Sequence, residues 1–240
     1  MCTVSFYKNK TETIITSNRD EHHSRAKALP PQIYQTENFD LIYCKDAQAN
    51  GTWMALRNDG AVIVLLNGAF ERYPLSPPYK KSRGLVLLDI MNEEKSLEKY
   101  KAYDLANIEP FTIIIYHNHL LHECIWNGNE KFIAEKSTEE NYIWSSVTLY
   151  DEEFRNRKRD LFQQLQQTKN ALNADDILQF HQSKQDLQNG FLINRNNQLM
   201  TFSVTQIVLT DKQNTFKHYD ILDDKSYMIT ANEFSKESFL

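Results

Sequence analysis

In this chain of 240 residues, the order of the secondary-structure signals predicts an α+β fold. Strand-like stretches come first and two helical stretches follow. The same order of strands and then two helices is repeated before the chain ends in further strands. Runs of strands separated from runs of helices are typical of α+β folds, whereas parallel α/β folds alternate the two. No repeat or linker divides the sequence, so we expect one domain over residues 1–240, with about 223–240 as a peripheral tail.

Short apolar or alternating stretches predict strands that pair as hairpins. The first hairpin turns through residues 8–11 and would bring residues 18–21 back beside Cys2. The second turns at Asn58-Asp59-Gly60, which is a strong turn signal. Residues 21–38 lack periodicity and are expected to form an irregular loop. The predicted strands cover residues 3–7, 12–17, 52–56, 61–66, 111–116, 120–126, 131–134, 142–145, 199–210 and 216–221.

Apolar residues at helical spacing predict helices over residues 83–91 and 97–108. A charged amphipathic helix is predicted over residues 151–167, and its basic run at 155–159 is expected to be a solvated face. A shorter helix should begin after Asn173, because Asn is a favourable N-cap and two acidic residues follow in the first turn.

Composition excludes several classes of function. The 27 basic and 32 acidic residues leave a net charge of −5, which gives no electrostatic basis for binding nucleic acid. No apolar run approaches the ~18 residues of a membrane span, and the first residues lack the regions of a secretion signal. Three cysteines without metal-type spacing favour a reducing compartment. We therefore expect a cytoplasmic protein, and the sequence has no signature of a particular oligomeric state.

Three histidines near one predicted turn form the most metal-like cluster, His117, His119 and His122. Strand alternation would send His119 and His122 to opposite faces, and no cysteine or carboxylate completes a ligand set. The sequence therefore predicts a polar hairpin tip here and no metal site.

The strongest chemical signal lies at Met1-Cys2-Thr3. Removal of Met1 is expected before a residue as small as Cys2, and it would leave a thiol and a free α-amine on one residue. The α-amine titrates near ~7.7–8.0 and the thiol near ~8.5, so both are poised close to neutral pH. The amine can then act as the base for its own thiol. The alternatives for Cys2 are an oxidation or lipidation site and a frayed terminus.

The stretch Asn18-Arg19-Asp20-Glu21 adds charge beside Cys2. A guanidinium favours the thiolate, and a carboxylate accepts protons from an amine. The alternative is a structural Arg-Asp pair that stiffens the end of the hairpin.

Together, Met1-Cys2-Thr3 and Asn18-Arg19-Asp20-Glu21 resemble the transport-and-Golgi-organisation family, which is also named NRDE after its Asn-Arg-Asp-Glu signature. The resemblance covers about residues 1–210 and implies the four-layer αββα sandwich of N-terminal-nucleophile hydrolases. Weaker stretches agree in order: 51–53, 58–60, Asn67, 82–85, Ser145 and 202–205.

The resemblance also implies roles for the charged residues. N-terminal-cysteine amidases of the choloylglycine type are similar in placing Arg and Asp at these positions. By that similarity Cys2 is the expected nucleophile, Arg19 would lower the pKa of its thiol and contact the acyl group, and Asp20 would hold the α-amine. Asn18, in the same stretch, is expected to contact the substrate.

Three further residues complete the expected site. Asn67 ends a predicted strand and offers an amide donor for an oxyanion, although an Asn-Gly turn is the alternative. Trp53 is a core residue or the wall of a substrate pocket. Ser146 stands where family members usually carry Asn, and its shorter hydroxyl would replace that contact with the substrate.

Three functions remain open. The first is an N-terminal-cysteine hydrolase that cleaves a non-peptide amide of an N-acyl small molecule through a thioester on Cys2, without a cofactor. The second is a binding or trafficking protein of the same fold, with a haem or a lipid or acyl ligand. The third is a structural protein in which the stretch at 18–21 only stabilises the hairpin. We rank the hydrolase first.

Overall fold

A computed structural model of the chain describes residues 3–231 as four layers in the order helix, sheet, sheet, helix. Two antiparallel seven-stranded sheets in this part of the chain stack face to face, and a pair of helices covers the outer face of each. The predicted α+β class and the αββα sandwich are therefore confirmed. Within residues 3–231, no helix combines the length and apolar character needed to cross a membrane.

The elements follow one another in the predicted order of strands and helix pairs. The strands are β1 (Thr3–Lys8), β2 (Thr13–His22), β3 (Gln32–Gln35), β4 (Asp40–Tyr43), β5 (Met54–Arg57), β6 (Val62–Asn67), β7 (Phe111–His117), β8 (Leu120–Trp126), β9 (Lys131–Lys136), β10 (Tyr142–Ser145), β11 (Asn194–Arg195), β12 (Leu199–Leu209), β13 (Asn214–Asp220) and β14 (Lys225–Thr230). The helices are α1 (Arg83–Met91), α2 (Ser96–Ala102), α3 (Glu152–Gln167) and α4 (Ala174–His181).

The sheet that contains β1 is called sheet I here, and its strand order is β10-β1-β2-β12-β13-β14, with β11 paired to β12. Its centre is β2, which pairs antiparallel with both β1 and β12. Sheet II keeps the sequence order from β3 to β9. The long connections of sheet I therefore bring the start of the chain between strands that come from its second half.

Strand alternation decides which residues of sheet I enter the core. Val4, Phe6 and Ile15 point between the sheets and join one large apolar cluster with sheet II and with α1. Tyr7 and Ile14 point the other way and pack under α3 and α4. Both faces of β1 and β2 are therefore buried, one against sheet II and the other against the helices.

The structure corrects three boundaries. The strand expected over 12–17 continues to His22, because β12 pairs with β2 along its whole length through an irregularity at Thr201/Ser203. The loop expected over 21–38 is wrong in part, since β3 pairs with β4 as the edge of sheet II. The helix expected over 97–108 ends at Ala102, where Tyr103 takes an extended backbone conformation.

The peripheral tail expected over about 223–240 contains the edge strand β14, which pairs with β13. Residues 232–240 lie outside the described residues.

Candidate functional site

The Asn-Arg-Asp-Glu stretch lies inside β2, so its side chains alternate between two faces of sheet I. Arg19 points between the sheets, where it stacks on Trp53. Asn18 and Asp20 point towards α3, α4 and the segments beside them, where they bond His181 and Tyr150. The stretch therefore serves two environments, a cleft between the sheets and a buried layer beneath the helices.

Arg19 is only 1% exposed, and several neighbouring groups hold its guanidinium in place. Its Nη2 lies 2.8 Å from Oδ2 of Asp46 and 3.5 Å from Oε1 of Glu21. Its guanidinium lies 4.9 Å from the ring centroid of Trp53 and 5.6 Å from that of Phe202. Within residues 3–231, its Nη1 has no hydrogen-bond partner. A fixed, buried cation with an unused donor is suited to hold an anion or a polarised carbonyl.

Arg19 lines a cleft of about 260 Å³. Trp53 and Asn67 line it as well, together with the start of α1 at 82–84. Two other arginines at the cleft are paired with carboxylates: Arg25 lies 3.0 Å from Asp46 and Arg83 lies 3.1 Å from Glu109. The cleft is therefore charged and polar, and most of its charges are already balanced.

One wall of the cleft depends on two glycines that let two backbones touch. A Cβ on Gly84, at the start of α1, would lie 2.7 Å from the carbonyl oxygen of Thr52. A Cβ on Gly51 would lie 2.4 Å from the carbonyl carbon of Gly84. Both distances are shorter than any real contact of a Cβ, so only glycine fits. The weak sequence stretches at 51–53 and 82–85 therefore meet in one contact that shapes the cleft.

Asp46 is a residue of the cleft that sequence reasoning missed. Burial opposes its charge, but the backbone N–H of Ala49 and the guanidinium groups of Arg25 and Arg19 outweigh burial and hold the pKa of Asp46 below its usual value. Its carboxylate therefore stays ionised and anchors Arg19. A single aspartate in a loop has no spacing that would have revealed this role.

Asn67 ends β6 and is half-buried at the cleft, as expected from the sequence. Its backbone carbonyl accepts a hydrogen bond from Oγ of Ser146 at 2.7 Å. Ser146 is 1% exposed, and its Oγ also lies 2.8 Å from Oγ1 of Thr148. A hydroxyl has one proton to donate, so Ser146 fixes the end of β6 across the two sheets.

Asn18 is fully buried, and its whole amide is engaged within the protein. Its Nδ2 donates to the carbonyls of His181 at 3.0 Å and Phe191 at 2.9 Å. Its Oδ1 accepts from Nδ1 of His181. An amide offers two N–H donors, so Asn18 uses both of them to tie the end of α4 to β2.

His181 continues this buried chain of hydrogen bonds. Because its Nδ1 donates to Asn18, its Nε2 accepts from Oγ of Ser5, which lies 2.7 Å away. Burial, assisted by the charge of Lys158, lowers the pKa of His181 to about 3. The ring is therefore neutral and serves as a bridge between β1 and β2.

Asp20 is 2% exposed and faces the same layer. Its Oδ2 accepts from the hydroxyl of Tyr150 at 3.1 Å, and its Oδ1 accepts from Oγ1 of Thr201 at 2.5 Å. Two hydroxyl donors stabilise a buried carboxylate. Asp20 is thus held in a defined position. It lies close to the end of β1 that contains Thr3, because Thr3 pairs with Asn18, two residues before Asp20 on β2.

Lys158 was expected on a solvated face of α3, and that expectation is wrong. Its side chain is 1% exposed and points under the helix. Its Nζ donates to Oγ1 of Thr3 at 2.8 Å and lies 3.4 Å from the ring centroid of Tyr150. Lys158 lies four residues after Phe154 and four residues before Phe162, so helical spacing puts all three on one face. That spacing is the signal that could have revealed its burial.

Cys2, the expected nucleophile, lies outside the described residues, and so does Met1. Thr3 is the first residue that the structure describes, and it pairs with Asn18 on β2 and with Ser145 on β10.

The remaining candidate groups are dispersed or buried. His117 lies 3.1 Å from Asp59, and His122 lies 3.9 Å from Glu135. In residues 3–231, no three residues of the metal-binding types come together. Cys44 and Cys124 are buried, and burial raises the pKa of both thiols, that of Cys124 to about 12. Neither thiol is suited to act as a nucleophile.

Comparisons with known proteins agree with this architecture. The family model described as Transport and Golgi organisation 2 matches residues 1–227. A variant of conjugated bile acid hydrolase from Clostridium perfringens is similar in structure, with a TM-score of 0.63, 10% identity, and 97% of this chain and 93% of that chain covered. The Caenorhabditis elegans ortholog of N-acylethanolamine-hydrolyzing acid amidase is similar with a TM-score of 0.62, 12% identity, and 95% and 100% covered.

A comparison with curated protein sequences returns no match. At these identities, the similar structures establish the fold, which is that of N-terminal-nucleophile hydrolases.

Proposed function

The chain belongs to the transport and Golgi organisation 2 family, and we propose that it is an N-terminal-cysteine hydrolase of a non-peptide amide bond in an N-acyl small molecule. The thiol of Cys2 attacks the carbonyl carbon, and its proton passes to the α-amine of the same residue. The C–N bond then breaks, the amine leaves with that proton, and a thioester remains on Cys2. Water attacks the thioester, which releases the carboxylic acid and restores the thiol. No cofactor takes part.

The observation that carries this proposal is the buried guanidinium of Arg19. Cys2 is joined by one peptide bond to Thr3, so their Cα atoms are about 3.8 Å apart. Thr3 pairs with Asn18, the residue before Arg19. A cation this near, anchored by Asp46 at 2.8 Å, favours the thiolate over the thiol. The unused Nη1 of Arg19 offers a donor to the acyl carbonyl.

Two other residues take the roles that the sequence suggested. Asp20, oriented by Tyr150 and Thr201, holds the α-amine of Cys2 in register. The side chain of Asn67 stabilises the oxyanion from the wall of the cleft, and Ser146 keeps the strand end in place.

The contacts of Asn18 and Trp53 favour supporting roles. Asn18 positions the active strand pair through His181, and Trp53 forms the wall on which Arg19 stacks.

The test is the intact mass of the purified protein before and after reaction with iodoacetamide. We expect Met1 to be absent and a single fast alkylation at Cys2. Arg19→Ala should slow that alkylation about tenfold, which corresponds to a change of one pKa unit. Arg25→Ala is the matched control, because it removes another arginine bound to Asp46 and should leave the rate near that of the wild type. A retained Met1, or alkylation of Cys2 no faster than that of Cys44 and Cys124, would contradict the proposal.

Turnover is then measured on N-acylglycines and N-acylethanolamines, and Cys2→Ser and Cys2→Ala should abolish it. A non-catalytic binding protein is the second possibility, and it has less support. In its haem form, this possibility would use the Cys2 thiolate as the axial ligand, and Cys2 lies outside the described residues. Binding of an acyl ligand that persists in Cys2→Ala, without turnover in the wild type, would favour this second possibility.

The proposed location is the cytoplasm. Both cysteines in the described part of the chain, Cys44 and Cys124, are buried free thiols, which suits a reducing compartment.

A further inference from the structure

We infer that Lys158 is a positioning residue that fixes the first strand and supplies positive charge to the Cys2 site from the helix side. This inference rests on the proposed function, because it assigns to Lys158 an effect on the nucleophile. It starts from an anomaly, namely a lysine that is 1% exposed on a helix whose neighbouring residues, Arg157 and Arg159, face solvent. Lysine is almost never fully buried unless its charge is engaged.

The contacts of Lys158 direct its charge towards the start of the chain. Its Nζ donates to Oγ1 of Thr3 at 2.8 Å, on the first residue of β1. The same atom lies 3.4 Å from the ring centroid of Tyr150 and 5.3 Å from that of Phe191. Two aromatic faces stabilise an ammonium group while they exclude water. The charge is therefore fixed in place, away from water, at the residue that follows Cys2 in the chain.

Neighbouring groups respond to this charge. Burial lowers the pKa of His181 to about 3, and the charge of Lys158 contributes in the same direction. A backbone hydrogen bond from Asn189 lowers the pKa of Asp186, with smaller contributions from Gln188, Arg157 and Lys158. A field that reaches these side chains also reaches a residue joined directly to Thr3.

The charged groups around Lys158 come from every element packed on it. His181 on α4 is neutral, and Asp186 lies in the following loop. Asp20 on β2 accepts from Tyr150, and the guanidinium of Arg195 lies 5.4 Å from the ring centroid of Tyr150.

The sign of the effect follows from the charge. A cation near Cys2 favours the thiolate over the thiol and the neutral amine over the ammonium, and both preferences increase reactivity. Asp20 opposes Lys158 at the amine, because a carboxylate favours the ammonium. Arg19 and Lys158 thus act on one residue from the two faces of sheet I, Arg19 through the cleft and Lys158 through the helix layer.

The experiment is the rate of alkylation of Cys2 by iodoacetamide as a function of pH, followed by intact mass. Lys158→Gln keeps a hydrogen-bond donor for Thr3 and removes the charge. We expect the midpoint of its profile to move to higher pH and its rate at pH 7 to fall about tenfold, while the limiting rate at high pH stays that of the wild type. Lys158→Arg keeps the charge and should keep the midpoint. Arg157→Gln removes an exposed charge one residue away and is the matched control.

A purely structural role for Lys158 predicts a different result. It would lower the melting temperature of Lys158→Gln and leave the midpoint unchanged, and that result would overturn the inference while the proposed function stands. Slow alkylation of Cys2 in the wild type would instead contradict the proposed function, and the inference with it.

If Lys158→Gln does not fold, Lys158→Met supplies the same comparison, with an apolar chain of similar length in the buried position. If neither neutral variant folds while Lys158→Arg does, Thr3→Val decides. It removes the contact that directs the charge, and an unchanged midpoint there would overturn the inference.

Discussion

The two helix layers of the sandwich cover their sheets in different ways. On sheet II, α1 presents Val86, Leu87, Ile90 and Met91, which join the same apolar cluster as the strands beneath them. On sheet I, the apolar cluster under α3 and α4 is smaller, and Phe162 and Ile177 belong to it. Beside that cluster runs a chain of buried polar groups: Thr3, Ser5, Asn18, Asp20, Tyr150, Lys158, His181 and Thr201.

The difference assigns separate tasks to the two layers. Apolar packing tolerates small shifts and substitutions that preserve volume. A buried hydrogen-bond network requires one geometry, because each unpaired group costs free energy. The network of sheet I converges on β1 and β2, where the proposed nucleophile begins the chain. The α1 layer stabilises the fold, and the α3 and α4 layer also fixes the position of Thr3.

The largest expected effect comes from removing the centre of the network. Asn18→Leu preserves much of the side-chain volume but leaves the carbonyl and the Nδ1–H of His181 without a partner. It also removes one of the two hydrogen bonds that the carbonyl of Phe191 accepts. Buried unsatisfied groups cost about 1–3 kcal/mol each, so we expect the free energy of unfolding to fall by about 3 kcal/mol or more in urea titrations. Ile90→Val, which removes one methyl group from the apolar layer, should cost about 1 kcal/mol.

Equal losses of unfolding free energy in Asn18→Leu and Ile90→Val would show that the polar network of sheet I is no more sensitive to substitution than the apolar layer under α1. Activity sharpens the comparison, because Ile90→Val should leave the alkylation rate of Cys2 unchanged.

A smaller effect concerns pH. The pKa of His181 in the folded protein is about 3, below the ordinary value of 6.5, because the ring is buried next to Lys158. The unfolded chain therefore binds the proton first. The free energy of unfolding is highest above pH 6.5 and falls as pH decreases towards 3, by about 2 kcal/mol between pH 6.5 and 5 for this group. Burial likewise lowers the pKa of His218 to about 4 and adds a similar loss.

Urea titrations at several pH values between 7.5 and 5 measure this loss. His181→Gln should reduce it by about half, whereas His119→Gln, at an exposed turn, is the control and should retain it. Burial also lowers the pKa of His122 on β8, so sheet II contributes to this sensitivity although α1 and α2 contain no histidine. An unchanged pH dependence in His181→Gln would place its origin elsewhere.

The sequence predicted those features that local signals determine. The helix expected over 83–91 is α1, and the cap expected at Asn173 begins α4. The buried network escaped prediction because its members are far apart in the chain. Asn18 meets His181 163 residues later, and Lys158 meets Thr3 155 residues earlier. Read alone, polar residues in β2 indicate surface, and only the pairing of β12 with β2 reveals their burial. A lysine in a basic run also indicates surface, and the contact of Lys158 with Thr3 shows that it is buried.

The smallest expected effect compares how a helix begins in each layer. Asn173 and Asp176 form a capping box at the start of α4, with reciprocal bonds of 3.0 and 3.1 Å. Asn173→Ala should therefore cost about 1 kcal/mol. At the start of α1, Oγ of Ser82 accepts from the backbone N–H of Leu85 at 3.4 Å, a long bond, and Ser82→Ala should cost about half as much. Thermal unfolding of both variants tests this order, and a larger cost at Ser82 would contradict it. The order follows from what holds each helix start, because close backbone packing at Gly84 already holds the start of α1, whereas side-chain hydrogen bonds hold the start of α4.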